Sequence, residues 1–335
     1  DYERRDKMNI KRTLTAAAGA VLAVTHLCSC SEQPLRLGTG NPGGIYYAYG
    51  TMLGALDDSA IEVKKTEGSR ANMRLLNEGF LDLAIVQSDV LAEAAGGTGD
   101  FEGAPVSAVR AVAGLYYEAF QFITRTDSGI TGLSDLKGKK VSVGEEGSGV
   151  SRNAEYLFLS AGIPYSSVET VHMSYAESAE ALENGSIDAF LAVLGAPSTV
   201  VSELSEKADV ELMSFDERTI AAMTEIYPGY FGMTIPAGTY RGQDEDIFTV
   251  GVKAVLTASS RVDSEKIKAV TALLFDNSSS IDHTVTVPGP DVDFALEDIP
   301  CAFHKGAAEY YDSVGKSVET DPSVSRSAVM QSSGD

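Results

Sequence analysis

The chain is short of positive charge, of thiols and of imidazoles, and no apolar run in it is long enough to cross a bilayer. Its 335 residues carry 26 Lys and Arg against 48 Asp and Glu. A field of that sign repels nucleic acid and anionic lipid, which excludes both as partners. Three cysteines and four histidines are present, and Cys28 and Cys30 fall in a leader segment, so Cys301 is the one thiol left for the body of the chain. That rules out an internal disulfide. With only His172, His283 and His304 beside it, a four-ligand Cys/His metal site is ruled out too. The apolar stretch Leu14 to Leu27 falls short of the ~20 residues that a spanning helix needs.

That stretch has the form of a secretion signal. Lys11-Arg12 supplies a basic segment before it, and it ends in Leu27-Cys28-Ser29-Cys30, where small Ser29 precedes a cysteine that is acylated and becomes the new N-terminus. Cys28 fits worse, because bulky Leu27 would precede the cut. Residues 1–29 are therefore expected to be a lipoprotein-type signal peptide, with Cys30 as the lipidation site. The protein would sit at the periplasmic or extracytoplasmic face, held to the membrane through that lipid only. Without residues 1–29 the chain has 21 basic and 45 acidic side chains.

Leu37-Gly38 and Val143-Gly144 are 106 positions apart, as are Leu76, Gly79 and Asp82 from Leu182, Gly185 and Asp188. The shared offset implies an internal repeat, and a ligand site would lie between the copies. Continuous apolar runs at 83–86, 141–143 and 189–193 suit parallel strands covered on both faces. Helical patterns lie at 45–56, 72–76, 150–159, 176–182 and 265–275. Strands alternating with helices imply a mostly parallel sheet in each of two α/β lobes. Crossing segments near 120–125 and 235–250 would act as the hinge. The expected division is 30–124 plus 236–320 for lobe I and 125–235 for lobe II; the polar, Ser-rich tail 321–335 is expected to be disordered.

The loop Gly38-Thr39-Gly40-Asn41-Pro42-Gly43-Gly44 satisfies G-x-G-x-x-G between a strand and a helix, the setting of a dinucleotide site. A nucleotide-dependent oxidoreductase built on Gly38 to Gly43 is thus one alternative, although Glu67 comes late for a ribose contact and Ile45-Tyr46-Tyr47 would crowd a pyrophosphate. The same geometry binds a smaller anion, such as a carboxylate, through free N–H groups and the positive helix end. In the second copy Gly144-Glu145-Glu146-Gly147-Ser148-Gly149 leads into a helix. Glu146 stands where a nucleophile elbow needs Gly, and Lys140 where a phosphate loop needs Ser or Thr, so neither chemistry is supported. Polar strand ends at Thr66-Glu67-Gly68-Ser69, Gln87-Ser88-Asp89 and Gly195-Ala196-Pro197-Ser198 form a rim where open α/β sheets bind ligands. Ser69 and Ser88 equally suit plain helix caps. Asp89 suits a structural role or a ligand ammonium better than acid catalysis. No metal and no cofactor is expected.

Several of these segments together resemble TAXI-type solute receptors of TRAP transporters. The residues that carry the likeness are Gly38-Thr39-Gly40, Gly43 to Tyr47, Gly68-Ser69, Asn72, Leu75-Leu76-Asn77, Asp82-Leu83-Ala84 and Gln87-Ser88-Asp89 in the first half. Asp135-Leu136-Lys137-Gly138-Lys139, Val141 to Gly144, Gly147-Ser148-Gly149 and Asn153-Ala154 follow. Ile235-Pro236-Ala237-Gly238-Thr239-Tyr240, Gly242 to Asp246, His304, Gly306-Ala307 and Tyr310-Tyr311 complete it.

The resemblance implies a type II periplasmic-binding-protein-like fold and not an enzyme. Its ligand would be a small carboxylate: a glutamate-like amino acid, a dicarboxylate or a 2-oxo acid. The partner would be a sodium-driven TRAP permease. Carried over by motif, the ligand-binding residues are Thr39, Gly40, Gly43, Gly44, Ile45 and Tyr46, then Ser69 and Asn72, then Gln87, Ser88 and Asp89. Ser148, Gly149, Ser151 and Asn153 follow from the second copy, with Gly195 and Pro197 in a loop expected to face the ligand. Asn41-Pro42 and Leu194 to Pro197 depart from the family pattern. Tyr46, Tyr47 and Tyr117 are candidates to pack on the ligand stem, and Arg70, Arg74 and Arg152 are candidate cations. A surface lipoprotein without a small ligand is the remaining alternative.

Overall fold

In the computed structural model, which describes residues 33–227, 229–280 and 290–323, the short apolar runs are strands and the patterns between them helices. The expected signal peptide, the lipidation site Cys30, His283 and the tail beyond residue 323 lie outside the described residues. The chain runs β1 (Leu35–Gly38), α1 (Ile45–Leu56), β2 (Ile61–Lys64), α2 (Ser69–Glu78), β3 (Leu83–Gln87), α3 (Ser88–Gly96) and the long β4 (Val109–Arg125). It continues through β5 (Lys140–Ser142), α4 (Gly149–Ser160), β6 (Glu169–Val171), α5 (Tyr175–Glu183), β7 (Ala189–Leu194), α6 (Thr199–Lys207), β8 (Val210–Leu212), α7 (Glu217–Ile226), β9 (Phe231–Ile235) and the returning β10 (Ile247–Ser259). Then α8 (Ser264–Asp276), α9 (Val292–Leu296) and α10 (Lys305–Ser313) complete the first half's core.

One sheet runs through the molecule in the order β2-β1-β3-β10-β4-β7-β5-β6, with β8 beside β4 and β9 beside β10. In each half a central strand, β1 or β5, has a parallel neighbour on both sides. The inner edge of each half is closed by an antiparallel strand, β10 against β3 and β4 against β7. The sheet is therefore mixed rather than mostly parallel, because the two strands that carry the chain between lobes run antiparallel to each other and to the strand each meets, β3 or β7. Every residue of β3 and of β7 is buried, as continuous apolar strands covered on both faces must be. Each such Leu, Ile or Val contributes on the order of 1.5–3 kcal/mol relative to exposure.

The repeat is visible in the contacts. Asp82 accepts the Arg36 N–H at 2.9 Å, and Asp188 accepts the Lys140 N–H at 2.7 Å; each carboxylate ties a turn to the central strand of its own lobe. Gly79 and Gly185 adopt φ of 80° and 77°, a left-handed region open to Gly without strain. The register differs from the common offset, however. Leu37 and Gly38 pair with Leu83 and Ala84 as Val141 and Ser142 pair with Ala189 and Phe190. The counterpart of Gly38 is thus Ser142, two residues before Gly144.

The apolar core of the first half takes residues up to Tyr116 and again from Ala254. The cores of the second half take Ala119 through Val252. The change of core falls inside β4 and β10.

Candidate functional site

Five helices begin at one cleft between the halves. Gly44, Ile45 and Tyr46 bring the start of α1, Gly68 and Ser69 that of α2, and Gln87 that of α3. Ser148, Gly149 and Val150 bring α4, and Ser174 and Tyr175 bring α5; with Glu118 on β4 and Val193 and Leu194 on β7 they line a cavity of about 600 Å³, its mouth included. Within each lobe the neighbouring strands are parallel, so their carboxyl ends and the helix starts after them share one edge, and the two edges face each other at the cleft. The five positive helix ends therefore converge.

These helix starts differ in one respect. Ser148 Oγ accepts the Ser151 N–H, and Ser174 forms a capping box with Glu177. The caps of α1, α2 and α3 are Gly44, Gly68 and Gln87, and none of them makes a side-chain cap bond. The Ala71 N–H of α2 donates to Gly147 O and the Val90 N–H of α3 to Asp89 Oδ1; the first-turn N–H groups before them need an outside acceptor. Gly43, just before, has φ of 100°, a turn that a side chain would strain.

Of the residues singled out by motif, Gly40, Gly44, Ile45, Tyr46, Ser69, Gln87, Ser148 and Gly149 line the cavity. Thr39, Gly43, Asn72, Ser88, Asp89, Ser151, Asn153, Gly195 and Pro197 are not among its lining. Asn72 instead clamps two strands, its Nδ2 donating to Thr39 O at 2.7 Å and Ile85 O at 2.9 Å, while Thr39 Oγ1 donates to Lys64 O. Ser88 and Ser151 are buried in helix first turns. Gly195 accepts from Gln121 Nε2 at 3.3 Å.

Asp89 and Asn153 join the lobes just behind the cavity lining. Asn153 Nδ2 donates to Asp89 Oδ2 at 2.6 Å and to the Tyr230 hydroxyl at 2.8 Å, Tyr230 also donates to Asp89, and Gln87 Nε2 donates to Asn153 Oδ1 at 3.0 Å. Burial pushes the Asp89 carboxyl up to about 6 against the pull of those donors. One turn along α3, Glu93 receives Arg152 at 3.3 Å and Tyr156. Across the cleft, the Ala71 N–H donates to Gly147 O at 2.9 Å and Asn41 to Glu145. The lobes are therefore closed on one another by protein contacts on both flanks.

The candidate cations are used elsewhere. Arg70 pairs with Asp100 and donates to Glu146 O, Arg152 pairs with Glu93 and Glu155, and Arg74 is exposed. Tyr117 packs on Phe231 and Phe294 with ring centroids at 4.6 and 4.9 Å, because neighbours on a strand face opposite sides and Glu118 takes the cavity side. Tyr47 is likewise outside the lining. Among the described residues no Lys, Arg or His lines the cavity, and no group of His, Cys, Asp and Glu is placed to hold a metal.

Pattern alone does not single out Glu118, Tyr175, Met173 or Val193, all of which line the cavity, as do Asn41 and Glu145 of the two glycine loops. Glu118 is 2% exposed. Its carboxyl is pushed well above the ordinary range by burial, with the Tyr46 hydroxyl bond at 2.9 Å opposing and Asp89 adding to the rise. The single acid of β4, set among apolar and aromatic neighbours from Leu115 to Phe120, was the available signal. Gly38 has a packing role: a Cβ there would meet Leu81 at 2.3 Å and Asn72 at 2.7 Å.

Residues 37–315 match the NMT1-like family. Among solved structures, a protein from Bordetella bronchiseptica RB50 is similar with a TM-score of 0.51 at 16% identity, over 90% of this chain and 90% of that one. The periplasmic aliphatic sulphonate binding protein SsuA from Escherichia coli is similar at TM-score 0.42 and 15% identity, over 74% and 76% of the two chains. An ancestral arginine-binding protein bound to arginine gives 0.46 and 15%, over 75% and 96%.

Proposed function

From the premise that the chain belongs to the NMT1-like family, we propose that it is an extracytoplasmic solute receptor. It holds a small carboxylate-bearing metabolite between its lobes and delivers it to a membrane permease. The resemblance to TAXI-type receptors makes that permease one of the sodium-driven TRAP class, and Cys30 the lipid anchor that keeps the receptor nearby.

The observation that carries the reading is the convergence of three helix starts without side-chain caps, at Gly44, Gly68 and Gln87, in one cavity. A carboxylate loses several kcal/mol of hydration on entering such a site. Charge-assisted hydrogen bonds return about 1.5–3 kcal/mol each, and each helix end adds roughly 0.3–1 kcal/mol. Three N–H groups with the Ser69 hydroxyl thus support affinity near micromolar, about −8 kcal/mol. Tyr46 and Tyr175 flank the space where the carbon stem would lie.

The test is mass spectrometry of small molecules released from the gently purified protein, followed by thermal shifts with a panel of carboxylates. A carboxylate should co-purify and raise Tm by mass action. A released ligand without any carboxylate, or a flat response across the panel, would remove the basis of the proposal.

A further inference from the structure

The cavity that is ringed by positive helix ends is also lined by an acid, Glu118, and by Gln87. Gln87 Oε1 is buried with no hydrogen-bond partner. It faces the start of α4, since a Cβ on Gly149 would stand 1.7 Å from it. Glu118 shares that cavity, buried and met by the Tyr46 hydroxyl. The titratable groups around Glu118 are Tyr46 on α1, Asp89 on α3, Tyr116 on its own strand and Tyr175 on α5, none of them a cation. A buried acceptor left unpaired is costly, and a buried carboxylate more so, so a ligand that brings donors is selected.

Resting on the receptor reading above, we propose that Glu118 and Gln87 form an ammonium subsite. The receptor then takes amino carboxylates and rejects the dicarboxylate or 2-oxo acid of the same skeleton, with Glu118 determining specificity. The ligand carboxylate lies at the bare starts of α1 and α2, and its ammonium group faces Glu118 and Gln87 Oε1. A 2-oxo acid would set another acceptor against Gln87 Oε1, and a dicarboxylate a second anion beside Glu118. Burial raises the Glu118 carboxyl above the ordinary range, because no cation offsets its charge. When the ammonium arrives, its charge stabilises the Glu118 carboxylate, which accepts an N–H from the ligand.

The experiment uses the full chain and matched trios: L-glutamate, 2-oxoglutarate and glutarate, then L-leucine, 4-methyl-2-oxopentanoate and 4-methylpentanoate, by calorimetry and thermal shift. The amino member of at least one trio should bind on the order of tenfold or more tighter than its partners. Glu118→Gln should keep the ligand-free Tm and lose the preference. Oxo or deamino members binding as tightly as the amino member overturn the subsite and leave the carboxylate receptor standing. No binding by any member overturns both.

Discussion

Gly149→Ala isolates lobe closure from folding. Gly149 opens α4 at the cleft, and a Cβ there would lie 1.7 Å from Gln87 Oε1, 2.7 Å from its Cδ and 3.3 Å from Ser69 Oγ. Both Gln87 and Ser69 belong to the other lobe, so the collision exists only when the lobes meet. Gln87 must rotate away, which breaks its 3.0 Å bond to Asn153 and loosens the residue that holds Asp89. One hydrogen bond is worth about 0.5–1.5 kcal/mol and an off-rotamer side chain another 0.5–1.5 kcal/mol. The closed state should therefore lose about 1–3 kcal/mol, or roughly fivefold to 150-fold in affinity for the tightest carboxylate of the panel. Neither lobe's core is touched, and Ala favours a helix over Gly by about 1 kcal/mol, so the ligand-free Tm should hold or rise slightly. Calorimetry and melting of the same preparation, with small-angle scattering for a more open ligand-free form, read the two effects apart. Wild-type affinity, or a Tm loss with unchanged affinity, would refute the reasoning.

Asp89→Asn should alter the pH dependence of stability. A folded carboxyl at about 6 against 3.8 unfolded means that the native state binds more protons between those values, so this group's contribution is largest below pH 4 and is lost as pH rises through 6. At 1.36 kcal/mol per unit the change is about 3 kcal/mol. The wild-type minus Asp89→Asn stability difference, followed by urea unfolding from pH 4 to 7, should fall by that order; a flat difference excludes it. Asp82→Ala and Asp188→Ala should each cost about 1–2 kcal/mol, since each leaves a strand N–H, of Arg36 or Lys140, without its acceptor. Lying in separate lobes, the two losses should add in the double variant, and strong coupling between them in denaturant melts would contradict two independent repeats.

Local pattern was enough for the elements. The helix 45–56 is found with the expected ends, and the apolar runs at 83–86 and 189–193 are fully buried strands, because a period and a run length are properties of neighbours in the chain. The glycine loops were legible for the same reason, as turns before helices. The shared offset found both lobes but misplaced the first strand by two residues, since a short match among common residues does not record an insertion between strand and helix.

What no run of neighbours encodes is which turns meet. Glu118, in the middle of β4, became the buried acid of the cleft, whereas Asp89 and Asn153, expected among the ligand-binding residues, became a bond between lobes. Both outcomes depend on β4 and β10 lying side by side and carrying the chain out and back, a pairing between residues more than a hundred positions apart. The amino-acid sequence by itself determined the repeated strand and helix units, the acidic surface and the bare helix starts. Only the tertiary structure decided that those starts share one cavity and that acceptors rather than cations complete it. Convergence follows from how the two lobes are joined through β4 and β10, and burial, which shifts a carboxyl, exists only once they are.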